Sequence, residues 1–292
     1  MEEFNKQLWD VIDDNSTFAE KSKAKSSFRE FRKIAGIEGK SFRSLSGLYQ
    51  FAIISSLLVL PLAALTIWLL ADRQETVEWQ EMSTRMGQTA QLVLADNTRV
   101  TLNGGSTIVY PSSFSGGIRQ VYFSGEGYFE VQSDVEHPFD VITNDARIKV
   151  HGTKFNLKSY SDDKVIMLAL DEGSVHFEGN SDMAEDVSAE MVPGDNISFD
   201  RETGILKKDY SADKSGLWRK GQYYFKNESL GDIARDIERI YGIRVLIERD
   251  EILDVHYHIA LVNGETPDDF IRILSLDESL KVSRKDNTII IH

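Results

Sequence analysis

The sequence predicts a mainly β chain that joins a large β domain, a small α/β domain, one membrane-spanning helix and a short helical N-terminal arm. Three observations predict this class: an uncharged stretch from Ser44 to Ala71, short segments that alternate apolar and polar side chains through residues 75–209, and a strand–helix–strand pattern that occurs twice in residues 222–291. We therefore expect four parts, which are an arm (1–43), a span (44–71), a β domain (72–212) and an α/β domain (213–292).

Composition limits the class of protein. A chain of 292 residues can form two domains of roughly 100–200 residues each, and a hydrophobic content of 41% can supply their cores. The net charge of −14 argues against direct binding to nucleic acid, whose phosphates attract basic surfaces. The absence of cysteine excludes disulfides, thiolate zinc sites and a cysteine nucleophile.

The uncharged stretch has the length of a membrane span. From Leu48 to Ala71 a helix would extend roughly 36 Å, whereas the hydrocarbon core of a bilayer is about 30 Å thick. Tyr49 and Trp68 lie near its ends, where amphipathic rings favour the headgroup level. The stretch begins too deep in the chain for a cleaved signal peptide. Pro61 in its middle either weakens the helix for an intramembrane protease or is the tolerated proline common in such helices.

The flanking charges predict the orientation of this span. Between Lys21 and Arg43 there are eight basic and two acidic residues, whereas acidic residues prevail directly after Ala71. The positive-inside rule then places the N-terminus in the cytoplasm and everything from Asp72 onward on the other side. This outer region contains 39 acidic and 24 basic residues.

The arm is too short to bury a core of its own. Leu8, Trp9 and Ile12 form one apolar cluster, while Phe28 and Phe31 lie three residues apart on a helical stripe among basic residues. Such a helix can dock its apolar side into the groove of a partner protein, or it can lie on anionic lipid. The pattern favours neither alternative.

The β domain is predicted from short alternating segments separated by turn residues, which is typical of a sandwich, a roll or a solenoid. The predicted strands are Ala90–Leu94, Arg99–Leu102, Thr107–Tyr110, Gln120–Phe123, Tyr128–Val131, Phe139–Thr143, Arg147–Val150, Lys154–Tyr160, Val165–Ala169, Ser174–Glu178 and Asn196–Asp200. The polar, acidic residues 181–191 are expected to form a surface excursion.

The α/β domain is predicted as two βαβ units. The first has a helix that begins near Asn227 and ends at Gly242, and the second has a helix with Thr266 as cap and Pro267 at its first position. The strands of these units are Gln222–Lys226, Ile243–Ile247, Tyr257–Val262, Leu280–Ser283 and Thr288–Ile291.

No catalytic, cofactor or metal site is evident, so the chain is not expected to be an enzyme. The stretch Ser124–Tyr128 has two glycines but lacks the third glycine and the following helix of a phosphate-binding loop. His256 and His258 share a strand face without an evident third metal ligand.

Several stretches resemble the FecR-like family of transmembrane anti-sigma factors, in the form typical of Bacteroidetes-type bacteria. Those in the β domain are Leu92–Ser106, Tyr110–Phe114, Gly125–Val131, His137–Phe139, Gly152–Leu157, Leu170–Val175 and Pro193–Asp195. Trp218, Phe225 and Tyr241–Gly242 are similar to the accompanying C-terminal domain, which resembles the secretin and TonB short N-terminal fold. Asn97 replaces the usual turn glycine, which is possible because asparagine tolerates left-handed conformations.

The resemblance implies a function. Proteins of this family hold an extracytoplasmic-function sigma factor at the bacterial inner membrane, receive a signal from a TonB-dependent outer-membrane transducer in the periplasm, and release the sigma factor through membrane proteases. The two apolar clusters of the arm are then the candidate sigma-binding residues. The transducer is expected to add a strand to an exposed sheet edge, either at Tyr257 and Ile259 or at Ile289 and Ile291.

Two other functions remain open from the sequence. A membrane-anchored module that binds periplasmic glycan or cell wall would present a platform of tyrosines, for which Tyr122, Tyr128 and Tyr223–Tyr224 are candidates. Ordinary cross-strand packing would explain the same residues. The second alternative is a membrane-anchored hydrolase whose site the sequence does not reveal.

Overall fold

The structure is a computed structural model that describes residues 77–180, 187–211 and 215–292, the helical residues 59–67, and single helical positions within 26–33 and 47–55. The chain divides into two compact units, Met1–Gln74 and Glu75–His292. Among the residues so described, no helix is both long and apolar enough to span a membrane. Pro61 is helical and exposed, whereas Leu48, Trp68 and Ala71 lie outside the described residues.

The second unit contains a β lobe (residues 77–211) and an α/β lobe (residues 215–292). Thirteen strands of the described region build the β lobe. They are β1 (Trp79–Ser83), β2 (Ala90–Val93), β3 (Arg99–Leu102), β4 (Thr107–Pro111), β5 (Arg119–Glu130), β6 (Phe139–Ile142), β7 (Ala146–Val150), β8 (Lys154–Ser159), β9 (Val165–Glu172), β10 (Val175–Gly179), β11 (Val187–Met191), β12 (Asp195–Asp200) and β13 (Leu206–Tyr210).

These strands form two sheets that share β5. The first sheet has the order β1-β4-β5-β6-β7-β10-β11, and the second has the order β2-β3-β5-β8-β9-β12-β13. Every pair is antiparallel except β5 with β6. The inner faces of both sheets contribute to one apolar core, in which Phe177 of the first sheet lies 5.7 Å from Phe199 of the second. Of the predicted alternatives, the sandwich describes this lobe.

The prediction of two separate strands around Gly125 and Gly127 was wrong. Two strands were expected on either side of Ser124–Gly127, but the structure has one twelve-residue strand. Gly125 adopts φ 120°, and a Cβ there would lie 2.4 Å from that of Ser106. The glycine therefore bends the strand from one sheet into the other instead of ending it.

The sequence also failed to predict three strands, β1, β11 and β13. Each is an edge strand that pairs with a single neighbour, and each contains polar or charged residues. Edge strands bury little surface, so the alternation on which the prediction relied is weak there. Part of the expected surface excursion, Val187–Met191, is thus a strand, and residues 181–186 lie outside the described part of the chain.

The α/β lobe has the predicted order of elements. They are a 3₁₀ turn (Leu217–Lys220), β14 (Tyr223–Ser229), α1 (Leu230–Tyr241), β15 (Arg244–Ile247), a second 3₁₀ turn (Asp250–Ile252), β16 (His256–Leu261), α2 (Pro267–Leu274), β17 (Val282–Lys285) and β18 (Thr288–Ile291). The helix ends agree with the predicted caps, because Gly242 is left-handed after α1 and Thr266 forms a capping box before α2. Ser229 rather than Asn227 caps α1, since Asn227 lies in a bulge of β14.

The strand pairing of this lobe differs from two βαβ units. β14 pairs antiparallel with β16 in one small sheet, while β15, β18 and β17 form a second sheet in that order. The two strands of each expected unit therefore lie in different sheets, and the parallel pair is β15 with β18. Both helices pack on a shared core through Leu230, Ile233, Ile237, Phe270 and Leu274.

Candidate functional site: the interface between the lobes and the open strand edge

The C-terminal half of α1 lies directly against the loops of the β lobe. The backbone N–H of Gly87 donates to the carbonyl of Arg239 at 2.8 Å, and the Tyr160 hydroxyl donates to the carbonyl of Gly104 at 2.7 Å. A Cβ on Gly104 would lie only 2.2 Å from the Arg239 carbonyl oxygen. Only glycine permits this approach of the two backbones.

Arg239 is the central charged residue of this interface. Its side chain is 3% exposed, and it donates to Asp163 at 2.8 and 2.9 Å, to Asp236 at 2.9 Å and to Asp162 at 2.7 Å. Its guanidinium carbon lies 3.7 Å from the centroid of the Tyr160 ring. Burial raises the pKa of Asp163, but the Arg239 hydrogen bonds and the nearby positive charges outweigh burial and keep this pKa below its ordinary value.

A second ion pair extends the interface along the outer face of the second sheet. Lys158 of β8 contacts Asp236 of α1 at 2.5 Å, and both side chains are less than one-fifth exposed. Burial lowers the pKa of Lys158, yet Asp236 and Glu126 together raise it above its ordinary value. Glu126 accepts hydrogen bonds from the amides of Asn103 and Asn156, and its pKa is raised because burial disfavours the carboxylate.

Trp218 connects the 3₁₀ turn to the same surface. Its indole Nε1 donates to Asn156 Oδ1 at 2.8 Å, and the side chain is 6% exposed. The neighbouring Arg219 stacks on the ring of Tyr128, with its guanidinium carbon 3.4 Å from the ring centroid. The sequence singled out Trp218 through the resemblance but contained no signal for the Arg239 cluster, because two of its three carboxylates, Asp162 and Asp163, lie 77 and 76 positions away.

The expected docking strand β16 has an open edge. It pairs with β14 on one side, and on the other side no backbone hydrogen bond joins it to a described segment. Ile259 points into the lobe core, and the Tyr257 hydroxyl donates to Asp277 at 2.8 Å. The exposed side chains of this strand are His256, His258 and Ala260.

The second expected docking strand is not an edge, so that alternative was wrong. β18 lies between β15 and β17 and forms ladders with both. Ile289 and Ile291 are fully buried in the lobe core. A strand hydrogen-bonded on both sides has no free backbone groups to offer a partner.

The candidate tyrosines do not form one platform. Tyr122 lies on the first sheet beside Trp79, with ring centroids 5.6 Å apart. Tyr128 is 4% exposed, and its hydroxyl donates to Asp171. Tyr223 and Tyr224 belong to β14 in the other lobe.

The remaining predicted residues lie outside the described part of the chain. These are the candidate sigma-binding residues Leu8, Trp9, Ile12, Phe28 and Phe31. Within the described part, no group of three or more His, Asp or Glu side chains is arranged to hold a metal ion.

Two family models with related descriptions match this chain, one in each lobe. The family model described as FecR protein matches residues 80–176, and the model described as FecR, C-terminal matches residues 222–291. The first match lies in the β lobe and the second in the α/β lobe. A search of the curated proteins found no match.

Two solved structures have similar folds. Both are crystal structures of candidate anti-sigma factors from Parabacteroides distasonis ATCC 8503, and each is 26% identical to this chain. Their TM-scores are 0.67 and 0.68; the alignments cover 73% and 74% of this chain and 98% and 99% of the solved chains. The solved chains therefore correspond in size to the outer region alone.

Proposed function

Because this chain belongs to the FecR-like family of anti-sigma factors, whose partner is a sigma factor, we propose that it holds an extracytoplasmic-function sigma factor inactive until a signal arrives from outside the inner membrane. The signal comes from a TonB-dependent outer-membrane transducer, and membrane proteases then release the sigma factor with the arm. The observation that supports this most directly is the order of parts: an arm with two apolar clusters, an uncharged stretch, and both FecR matches on one compact unit.

Capture of the sigma factor tests the proposal. The arm, residues 1–43, is immobilised and incubated with purified extracytoplasmic-function sigma factors, together with a housekeeping sigma factor for comparison. We expect one of the former to bind, and we expect Trp9→Ala and the double variant Phe28→Ala/Phe31→Ala to weaken binding at least tenfold, because aromatic anchors dominate helix-in-groove contacts. Phe4→Ala is the matched control outside both clusters.

A membrane role for the arm gives the opposite result. If the arm binds anionic vesicles but no sigma factor, and if the same substitutions weaken only vesicle binding, the arm is a lipid-surface helix and the proposed function is wrong.

The transducer is proposed to dock on the open edge of β16. Its unpaired backbone groups can accept a further strand, and the exposed Ala260 marks this edge. Since the chain has no cysteine, Ala260→Cys introduces a single thiol. We expect the signalling domain of the transducer to slow maleimide labelling of this thiol about tenfold.

The matched control is Ser283→Cys on β17, which is also an exposed strand position. Its labelling should be unaffected by the transducer. Equal protection of both thiols, or of neither, would place the docking surface elsewhere.

A further inference from the structure

A cavity of about 740 Å³ runs between β14 and the outer face of the second sheet. Its floor consists of two cross-strand rows contributed by β8, β9 and β12. One row is Asn156, Ala169 and Asn196, and the other is Lys158, Met167 and Ser198. Trp218 and Asp236 also line it, and the hydrogen bond of Trp218 to Asn156 and the ion pair of Asp236 with Lys158 connect them to these rows.

The wall opposite this floor is a strand with an unpaired edge. β14 pairs only with β16, and in an antiparallel pair alternate residues turn their N–H and C=O groups away from the partner. Along Tyr223–Phe225 no backbone hydrogen bond reaches any described segment other than β16. The regular part of the ladder, Tyr223–Lys226, is about 13 Å long at roughly 3.3 Å per residue. This length matches that of an extended peptide of four or five residues.

The charges that line the cavity favour a basic ligand. Four carboxylates line it, on Glu126, Asp209, Glu228 and Asp236, against the two lysines Lys158 and Lys226. Lys158 is already neutralised by Asp236. The Glu228 side chain is partly buried, and its carboxylate forms no hydrogen bond or ion pair with a described residue. A basic side chain brought in by a guest would give this carboxylate its partner.

We propose that the cleft between the lobes binds an extended peptide segment carrying Lys or Arg, which adds as a third strand to the free edge of β14 and places its basic side chain on Glu228. The row of Asn156, Ala169 and Asn196 offers small or amide side chains that leave room for the peptide, and Trp218 also lines the cavity. This site is separate from the open edge of β16 and does not depend on the membrane topology or on the sigma factor.

Binding to the outer region, residues 75–292, tests the proposal. This region is one compact unit, and the similar solved chains correspond to it, so it can be prepared alone. The probe is a labelled peptide of four threonine–lysine repeats, compared with threonine–glutamate repeats and with two forms N-methylated on alternate residues. We expect saturable binding of the lysine peptide at physiological salt, at least tenfold weaker binding of the glutamate peptide, and at least tenfold loss on one pattern of N-methylation.

Variants locate the peptide. Glu228→Gln should weaken binding about tenfold, whereas Glu278→Gln, the same change on an exposed residue outside the cleft, should leave it unchanged. Ser198→Trp fills the floor and should abolish binding, with its circular dichroism spectrum as the check on folding. Equal binding of both N-methylated peptides and the parent would indicate nonspecific charge attraction and overturn the proposal. So would binding of chitotetraose in place of the peptide, which would make the cleft a saccharide site.

Discussion

Arg239 illustrates how a single charged residue can hold two lobes together. Its guanidinium is almost fully buried and is surrounded by three carboxylates and the face of Tyr160. A charge in such a position is tolerated because its hydrogen bonds replace those lost to water. Removing it leaves the carboxylate of Asp163, which is only 11% exposed, with the longer 3.2 Å contact to Arg235 as its remaining ion pair.

We therefore expect Arg239→Ala to lower the free energy of unfolding of residues 75–292 by about 3–5 kcal/mol, the usual cost of breaking a buried pair. Arg272→Ala is the matched control, because Arg272 also pairs with an aspartate three residues earlier but is 75% exposed. Its loss should cost less than about 1 kcal/mol. Urea unfolding midpoints measure both, and equal effects would contradict the structural role of Arg239.

Glu228 makes stability depend on pH. Burial, together with the carboxylates of Asp236, Asp232 and Glu126, raises its pKa to about 7 in spite of Lys158. The folded protein then holds a proton that the unfolded chain releases near pH 4.5, so this residue reduces stability as the pH rises from about 4.5 through 7. We expect Glu228→Gln to stabilise the protein at pH 8 by on the order of 2 kcal/mol and to have little effect at pH 4. A stability gain that is the same at both pH values would contradict this assignment.

At the scale of elements, glycines decide where backbones can meet. Gly125 bends β5 from one sheet into the other, and Gly104 admits the end of α1 to within contact of the β3–β4 loop. The sequence marked Asn103–Gly105 as a turn, whereas Gly125 stood out only within Ser124–Tyr128, a stretch that lacks the other features of a phosphate-binding loop. Neither the bend nor the contact was predictable, because each depends on a segment that is distant along the chain.

Gly104→Ala should separate the lobes. The added Cβ would lie 2.2 Å from the Arg239 carbonyl oxygen, and moving that carbonyl away would strain the hydrogen bond that it accepts from Gly87. We expect differential scanning calorimetry to show two unfolding transitions in the variant where the parent shows one. Gly117→Ala is the matched control, since its Cβ meets nothing within 4 Å. A single unchanged transition in Gly104→Ala would show that the interface can relax.

At the scale of the whole molecule, charge divides the chain into two unlike parts. The basic residues 21–43 and the acid-rich region after Ala71 are the charge difference on which the proposed topology rests. The cross-lobe ion pairs meanwhile join the two FecR-matching regions within one compact unit.

The proposed topology can be measured with reporter fusions. Alkaline phosphatase, which is active only outside the cytoplasm, should be active when fused after His292 and inactive when fused after Arg43. A fluorescent protein that matures only in the cytoplasm should give the reverse pattern. Phosphatase that is active in both fusions, or inactive in both, would rule out a single membrane crossing between the two positions.

The amino-acid sequence by itself determined the family, the mainly β class, the helix caps at Gly242 and Thr266, and the left-handed turn at Asn97. These features depend on local signals, such as the alternation of apolar and polar side chains, capping side chains and turn residues. Such signals lie in residues that are adjacent in the sequence. The tertiary structure alone decided that β5 serves two sheets, that β18 is central rather than an edge, and that Arg239 meets Asp163. Strand order and buried ion pairs depend on which segments, distant along the chain, pack against each other and bury their surfaces from water. This is a property of the folded chain as a whole.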